Sequence, residues 1–351
     1  MATITLPGLI DVHTHMRTPA QTHKEDFYTG TLAALNGGFT TVIDMPNNAT
    51  PITTKKLLDE KIKIAGEQAV CDIGFHFGSL GENLEEFKKV SKKVFGLKLY
   101  LNQTTGGFII GKRELTKIYD TWESAQPILL HAEEDVLDMV FEIAKRTKKA
   151  THICHVSSAT ALAKIAHAKE KGLRVTCGVT PHHLFLTHDD EKKLGPYGKM
   201  KPYLKNKKDV KFLWDNFEYI DIIESDHAPH TRKEKETEAP FGVPGLDTTL
   251  LLLLTKVEEG VMTTDEIEQL CFENPAKIFN IPTSENTKIE IDMKEYVLSK
   301  KDLKTKCGWS PFEGRRVVGK VKSVVVRGKK VYENGKLLIQ KGDGKIIAPT
   351  V

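Results

Sequence analysis

Residues 7–15 read Pro-Gly-Leu-Ile-Asp-Val-His-Thr-His, an apolar run that ends in two histidines separated by one residue. Such a run is typical of a β-strand, and side chains two positions apart on a strand point to the same face. His13 and His15 therefore share a face at the end of this strand. Two neighbouring imidazoles pack poorly unless their nitrogens have partners, so the pattern predicts metal binding.

Similar apolar runs alternate with longer stretches whose apolar residues lie three and four apart, as in residues 84–94. This alternation predicts parallel βα units, and we expect an α/β fold, a distorted (β/α)₈ barrel of the TIM type. An open, doubly wound sheet is the alternative. The predicted strands are Leu9–His15, Thr40–Met45, Asp72–Phe77, Leu97–Leu101, Ile128–His131, Thr151–Val156, Arg174–Val179 and Asp221–Ser225.

After Pro282 the pattern changes to short alternating strands, and residues 333–336 contain an Asn-Gly pair that favours a tight hairpin turn. We therefore divide the chain into a barrel, residues 1–283, and a small β-rich C-terminal domain, residues 284–351. Residues 288–351 carry a net charge of +9, against +4 for the whole chain. No nucleic-acid-binding motif accompanies this charge, so water-exposed strand faces are the simplest interpretation.

Composition excludes several classes of protein. No run of about 18 apolar residues is present, which argues against a membrane-spanning helix. The first residues lack a basic and apolar leader, and the five cysteines are scattered without CxxC spacing. We therefore expect a cytoplasmic protein with reduced thiols.

Other polar residues also end predicted strands. Lys98 lies within an apolar run, where an ammonium needs an anionic partner or must lose its proton. His131, His155 and Asp226 follow three further apolar runs. Each of them alone could be a hydrogen-bonded structural residue. Together with the first histidine pair, they predict a hydrolytic site with two metal ions at the carboxyl ends of the strands.

These motifs resemble the amidohydrolase superfamily, and within it dihydroorotases of the type found as a domain of the animal multifunctional pyrimidine protein. The resemblance extends through nearly the whole chain. The matching blocks are PGLIDVHTHMR (7–17), THKEDF (22–27), MPNN (45–48), GLKLYLN (96–102), HICHV (152–156), TPHHLFL (180–186), SDHAPH (225–230) and GVPGLD (242–247).

The resemblance implies two zinc ions, bridged by a lysine that carbon dioxide has carboxylated. The implied ligands are His13, His15 and Asp226 for one zinc, His131 and His155 for the other, and Lys98 as the bridge. A carboxylated lysine is an anionic two-oxygen ligand, which explains a lysine at this position.

The implied reaction is the reversible closure of N-carbamoyl-L-aspartate to dihydroorotate and water in pyrimidine biosynthesis. Asp226 would carry the proton between water and the ring nitrogen. Arg17, Asn47 and His230 match contacts to the α-carboxylate of the substrate, and Thr104 matches a threonine on a loop that closes over it.

The sequence departs from the family pattern at three positions. Cys154 matches a cysteine that helps to hold a third zinc in the animal domain, but Gly178 stands where that site has a glutamate, which argues against a third metal. Lys201 replaces a usual arginine and lacks its planar fork. Thr105 replaces the phenylalanine of the animal loop.

Two alternatives remain at this stage. One is another cyclic amide hydrolase, such as a dihydropyrimidinase or allantoinase, whose uncharged substrates need no carboxylate clamp. The other is a non-catalytic scaffold for aspartate transcarbamoylase, which we would expect to have lost metal ligands. Candidate partners are a second copy of the chain and aspartate transcarbamoylase, with no nucleic acid and no membrane.

Overall fold

The structure is a computed structural model that describes residues 2–104 and 109–350. The described strands are β1 (Thr3–Pro7), β2 (Leu9–Thr14), β3 (Phe39–Asp44), β4 (Asp72–Phe75), β5 (Phe77–Gly78), β6 (Leu97–Tyr100), β7 (Ile128–His131), β8 (Thr151–Ile153), β9 (Val175–Val179), β10 (Ile222–Ile223), β11 (Lys288–Val297), β12 (Arg316–Val326), β13 (Lys329–Glu333) and β14 (Lys336–Leu337). The described α-helices are α1 (Phe27–Asn36), α2 (Lys55–Gly66), α3 (Phe87–Val90), α4 (Lys112–Thr121), α5 (Leu137–Thr147), α6 (Ala159–Glu170), α7 (Pro181–Phe185), α8 (His188–Leu194), α9 (Lys207–Asp215), α10 (Arg232–Thr237), α11 (Thr249–Glu258), α12 (Thr264–Glu268) and α13 (Asn274–Phe279).

Strands β2 to β10 pair in parallel in two sheets, with the orders β2-β3-β4 and β10-β9-β8-β7-β6-β5. The third predicted strand is divided, since β4 pairs with β3 whereas β5 pairs with β6. His76 lies at the break, where its N–H donates to the Asp44 carbonyl at 3.0 Å and its ring contacts the Val12 carbonyl oxygen at 2.9 Å. The chain therefore passes from one sheet to the other at this histidine.

The two sheets close into a barrel where the last strand returns to the first. Thr14 and His227 form a parallel bridge, and the His15 N–H donates to the His227 carbonyl at 2.8 Å. The Asp11 carboxylate accepts the backbone N–H of Ser225 at 3.2 Å. The predicted barrel is confirmed, and the open sheet is excluded.

The local sequence explains these elements. All six residues of β2 are buried, as expected for a parallel strand covered by helices on one side and the barrel interior on the other. Helix α6 begins at Ser158, whose hydroxyl accepts the Ala161 N–H at 3.1 Å. Leu162 and Ile165 are buried on this helix, as their spacing predicts. Apolar packing thus fixes the strands and leaves their carboxyl ends for polar residues.

A second, antiparallel sheet has the order β1-β11-β12-β13-β14. The boundary at residue 284 assigned Thr3–Pro7 to the barrel, whereas this strand pairs with Lys288–Val297 in the C-terminal sheet. The predicted hairpin turn is present, and Asn334 and Gly335 have φ angles of 48° and 83°, as a type I′ turn requires. Among the described residues, no helix has the length and apolar character needed to cross a bilayer.

Candidate metal centre and substrate pocket

The polar residues predicted at the strand ends meet in one pocket at the carboxyl end of the barrel. Five of the six predicted metal ligands line it, and the sixth, Lys98, is buried beside them with 1% of its surface exposed. The lining residues are His13, His15, Arg17, Asn47, Tyr100, Thr104, His131, His155, Lys201, Asp226, Ala228, Phe241 and Gly242.

One group of predicted ligands surrounds the Asp226 carboxylate. Its Oδ1 lies 2.9 Å from Nε2 of His15 and 3.4 Å from Nε2 of His13. Both rings therefore face the same carboxylate oxygen, and their centroids are 5.3 Å apart. Ligand atoms of His13, Asp226 and His155 lie within 4.8 Å of one another, which is close enough to surround one cation.

The second group consists of His131, His155 and Lys98. Nδ1 of His131 lies 3.0 Å from Nε2 of His155, and Nζ of Lys98 lies 3.2 Å from the Cys154 sulfur. Nε2 of His131 and Nδ1 of His155 have no hydrogen-bond partner among the described residues, although both rings are buried. Buried imidazole nitrogens normally have a partner, so these two fit a metal site.

The electrostatics of the pocket suit a cation. Burial lowers the pKa of His15 to about 4 and that of His131 to about 3, and it holds the pKa of His155 well below the usual value. These rings are therefore neutral at pH 7, as metal ligands must be. Burial also opposes ionisation of Asp226, but the charge of His13 and the hydrogen bond from His15 together outweigh it and lower the pKa of the carboxyl.

His13 differs from the other rings because Glu224 is beside it. Burial lowers the pKa of this imidazole, but the Glu224 carboxylate, 3.0 Å from its Nδ1, and the Asp226 carboxylate together outweigh burial, and the pKa rises to about 10. The negative charges that stabilise the protonated imidazole would also stabilise a metal cation bound at this position. Metal binding at the ring would therefore release a proton.

Glu224 is a site residue that the sequence analysis did not identify. Its carboxylate is fully buried and also accepts the backbone N–H of His155. A Cβ atom on Gly178 would lie 2.6 Å from the Glu224 carboxyl carbon, so this carboxylate occupies the space that Gly178 leaves open. Ligand atoms of His13, Cys154 and Glu224 lie within 4.8 Å of one another. The lack of a side chain at Gly178 therefore does not deprive Cys154 of a carboxylate neighbour.

The substrate-binding residues implied by the resemblance lie on the other side of the pocket. Arg17 is buried, its Nε donates to the Pro229 carbonyl at 3.0 Å, and its Nη2 lies 3.2 Å from Nε2 of His230. His230 itself lies behind Arg17 and does not line the pocket. Asn47 lines it, but its Oδ1 is 2.6 Å from Nδ1 of His15, so this amide also orients a predicted metal ligand.

Two loop residues complete the mouth of the pocket. Thr104 lines it, whereas Thr105, the other loop residue singled out from the sequence, lies outside the described residues. Nζ of Lys201 lies 3.7 Å from the ring centroid of Tyr203 and 5.4 Å from that of Phe241. Lys201 therefore brings a cation to the rim of the pocket, held over two aromatic faces.

The backbone is strained at several site residues. Arg17, His155 and Asp226 have φ angles of 57°, 40° and 43°, which non-glycine residues adopt rarely. Each costs roughly 1–3 kcal/mol and persists only where the surroundings enforce it. Their clustering around one pocket agrees with a functional site.

Comparisons with known proteins agree with this geometry. A model of the amidohydrolase family matches residues 4–285. The chain belongs to the amidohydrolase family.

Similar proteins of known name show which members of this family the chain resembles. The chain is 42% identical over 348 residues to the multifunctional protein CAD of Squalus acanthias, covering 97% of this chain but only 15% of that protein. It is 35% identical over 361 residues to the dihydroorotase of Pyrococcus furiosus, covering 95% of this chain and 83% of that one. The structure of L-hydantoinase (dihydropyrimidinase) from Arthrobacter aurescens is similar at a TM-score of 0.93 and 25% identity, covering 99% of this chain and 89% of that chain. The resemblance to dihydroorotases predicted from the motif blocks is confirmed.

Proposed function

We propose that the chain is a zinc-dependent dihydroorotase that interconverts N-carbamoyl-L-aspartate and dihydroorotate in pyrimidine biosynthesis. The observation that carries this proposal is the position of Arg17, a buried cation that faces the same pocket as five of the six candidate metal ligands. The planar guanidinium fork matches a carboxylate, the group that distinguishes dihydroorotate from uncharged cyclic amides.

The resemblance divides the candidate ligands into two sets. His13 and His15, which both face the Asp226 carboxylate, would hold one zinc ion with it, and His131 and His155, whose nitrogens lie 3.0 Å apart, would hold a second. Lys98, carboxylated at Nζ, would bridge the two as an anionic ligand. Zinc bound there lowers the pKa of a water molecule from ~15.7 toward ~7 and polarises the amide carbonyl.

The protein side chains account for the remaining steps. In ring opening, ionised Asp226 takes the proton of the attacking water and delivers it to the departing amide nitrogen. In ring closure, the protonated acid returns that proton to the leaving water. Arg17, with His230 behind it and Asn47 beside it, holds the α-carboxylate. Thr104, at the mouth, lies where the loop can contact the substrate.

The residues around Cys154 bear on whether the chain binds two zinc ions or three. The argument against a third zinc was the lack of a carboxylate at Gly178, and Glu224 supplies one from the neighbouring strand. Metal analysis of wild type and of Glu224→Gln distinguishes the two cases. If wild type and Glu224→Gln both contain two zinc ions per chain, the paired site is the only one. If wild type contains three and Glu224→Gln contains two, the third site is supported.

The similarity to a hydantoinase makes another cyclic amide hydrolase the second candidate. Such an enzyme would act on rings without a carboxylate, and its pocket would have no use for a buried arginine. The scaffold interpretation is disfavoured because none of the six candidate ligands is replaced. We also propose a cytoplasmic location, which the five buried, free cysteines support. A homodimer and an association with aspartate transcarbamoylase remain candidate assemblies.

Zinc reconstitution tests the proposal. We expect the chelated protein to be inactive, and zinc to restore both ring opening of dihydroorotate and ring closure of N-carbamoyl-L-aspartate. Absorbance of the dihydroorotate amide follows both directions. A fully zinc-loaded protein that turns over neither compound would overturn the proposal.

A further inference from the structure

Lys235, in helix α10, is fully buried, and burial lowers the pKa of its ammonium group to about 7. Its Nζ donates to the carbonyl oxygens of Pro240 at 2.8 Å, Lys199 at 3.1 Å and Gly242 at 3.1 Å. An ammonium has three N–H donors, so the three carbonyls use all of them. All three acceptors are backbone carbonyl oxygens, and none is a carboxylate. The Lys235 side chain therefore hydrogen-bonds the backbone and does not form an ion pair.

The three carbonyls belong to two segments that form one wall of the substrate pocket. Phe241 and Gly242 line the pocket, and so does Lys201, two residues after Lys199. The segments also bond directly to each other, because the Gly242 N–H donates to the Lys199 carbonyl at 3.1 Å. Lys235 thus lies behind this wall and links its two segments through hydrogen bonds to the carbonyls of Lys199 on one side and of Pro240 and Gly242 on the other.

The same region positions His230, the neighbour of Arg17. Nε2 of His230 lies 2.9 Å from the Phe241 carbonyl oxygen. The indole N–H of Trp309 donates to the His230 carbonyl at 2.7 Å, and the Trp309 ring centroid lies 5.6 Å from Nζ of Lys235. The carbonyls of residues 240, 241 and 242 are consequently all held by side chains from residues 230–235.

The backbone needs this support because it adopts an unusual conformation. Gly242 has a φ of +129°, and a Cβ atom there would lie 2.6 Å from the Ala228 carbonyl oxygen. Glycine permits the conformation but also loses the most entropy when it is fixed. Three carbonyl oxygens held within 3.1 Å of the buried Lys235 nitrogen supply the required restraint.

We propose that Lys235 is a positioning residue for substrate binding, which sets the wall formed by Lys201, Phe241 and Gly242. The proposal rests on the proposed function, since that wall would face the carboxylate side of dihydroorotate. The metal-ligand candidates belong to other strand ends, and none is among the hydrogen-bond partners of Lys235. Loss of the ammonium should therefore change KM much more than kcat.

The test compares Lys235→Met with Lys233→Met, an exposed position on the same helix. We expect Lys235→Met to retain its zinc and to raise KM for dihydroorotate by roughly tenfold or more, with kcat within about threefold of wild type. Lys233→Met should match wild type. Lys235→Gln retains amide donors and should give an intermediate KM, so it decides the question if the methionine variant does not fold.

Hydrogen exchange provides a readout independent of turnover. The Gly242 amide should exchange faster in Lys235→Met and Lys235→Gln than in Lys233→Met. A KM within twofold of wild type with unchanged exchange would overturn the proposal, as would a loss of kcat and zinc at constant KM. If wild type fails to turn over dihydroorotate, the proposed function fails, and the exchange measurement alone still tests the role of Lys235.

Discussion

Replacement of Arg17 by methionine tests substrate recognition most sharply. The Arg17 Nε–H is already used by the Pro229 carbonyl, and Nη2 also lies 3.2 Å from Nε2 of His230. Each terminal nitrogen has two N–H groups, so both can still donate to a substrate carboxylate. Two charge-assisted hydrogen bonds of roughly 1.5–3 kcal/mol each amount to about 3–6 kcal/mol. At about 1.36 kcal/mol per decade, Arg17→Met should lower kcat/KM for dihydroorotate by roughly 10²–10⁴-fold.

Dihydrouracil, the same ring without the carboxylate, is the internal control. The variant also leaves the Pro229 carbonyl without its donor, but that structural cost acts on both substrates and cancels in their ratio. We expect kcat/KM for dihydrouracil to change by less than about tenfold. Arg17→Lys, which retains the charge but not the fork, should give an intermediate loss for dihydroorotate. Equal losses for both rings, at unchanged zinc content, would refute the assignment of Arg17 to the carboxylate.

Two further variants test other parts of the site, and a third tests a carboxylate outside it. Lys98→Ala should lose zinc and activity because the bridging ligand disappears, and short carboxylic acids should restore some turnover; a variant with wild-type zinc content and rate contradicts the bridge. Asp226→Asn should fold but lose turnover in both directions, and in wild type ring closure should be favoured at lower pH than ring opening, so identical pH–rate profiles contradict the proton-carrying role. Burial opposes ionisation of Glu234, but hydrogen bonds from His23 and Thr231 outweigh it and lower its pKa from 4.5 to about 2. Glu234→Gln should therefore reduce the free energy of unfolding at pH 7 by roughly 1–3 kcal/mol, and chemical denaturation should show this difference vanishing as the pH falls from 4.5 to 2.

The sequence predicted the barrel well because its strands are apolar runs covered on both faces. It also predicted five pocket-lining ligand candidates, since polar residues that end such runs meet at one edge of a parallel barrel. It did not predict that Thr3–Pro7 joins the C-terminal sheet. This alternating strand has an apolar face that fits either sheet, and pairing with residues almost 300 positions away leaves no local signal.

Glu224 could have been found from the sequence. It follows Ile222 and Ile223 within the predicted strand Asp221–Ser225, and a carboxylate buried in a strand needs a positively charged or hydrogen-bonding partner. The sequence could not predict that the Glu224 carboxylate packs against Gly178. That contact depends on which strands are neighbours in the barrel and on the space left by the missing side chain of the glycine. The same limit applies to Asn47, whose contact with His15 is set by tertiary packing.

The most direct test of the account is the ratio of kcat/KM for dihydroorotate to that for dihydrouracil on the zinc-loaded wild-type chain. A pocket that holds the carboxylate with Arg17 should favour dihydroorotate by roughly 10⁴-fold or more, because a ring without that group leaves a buried cation unpaired. Comparable values for the two rings would contradict the account and assign the pocket to a dihydropyrimidinase instead.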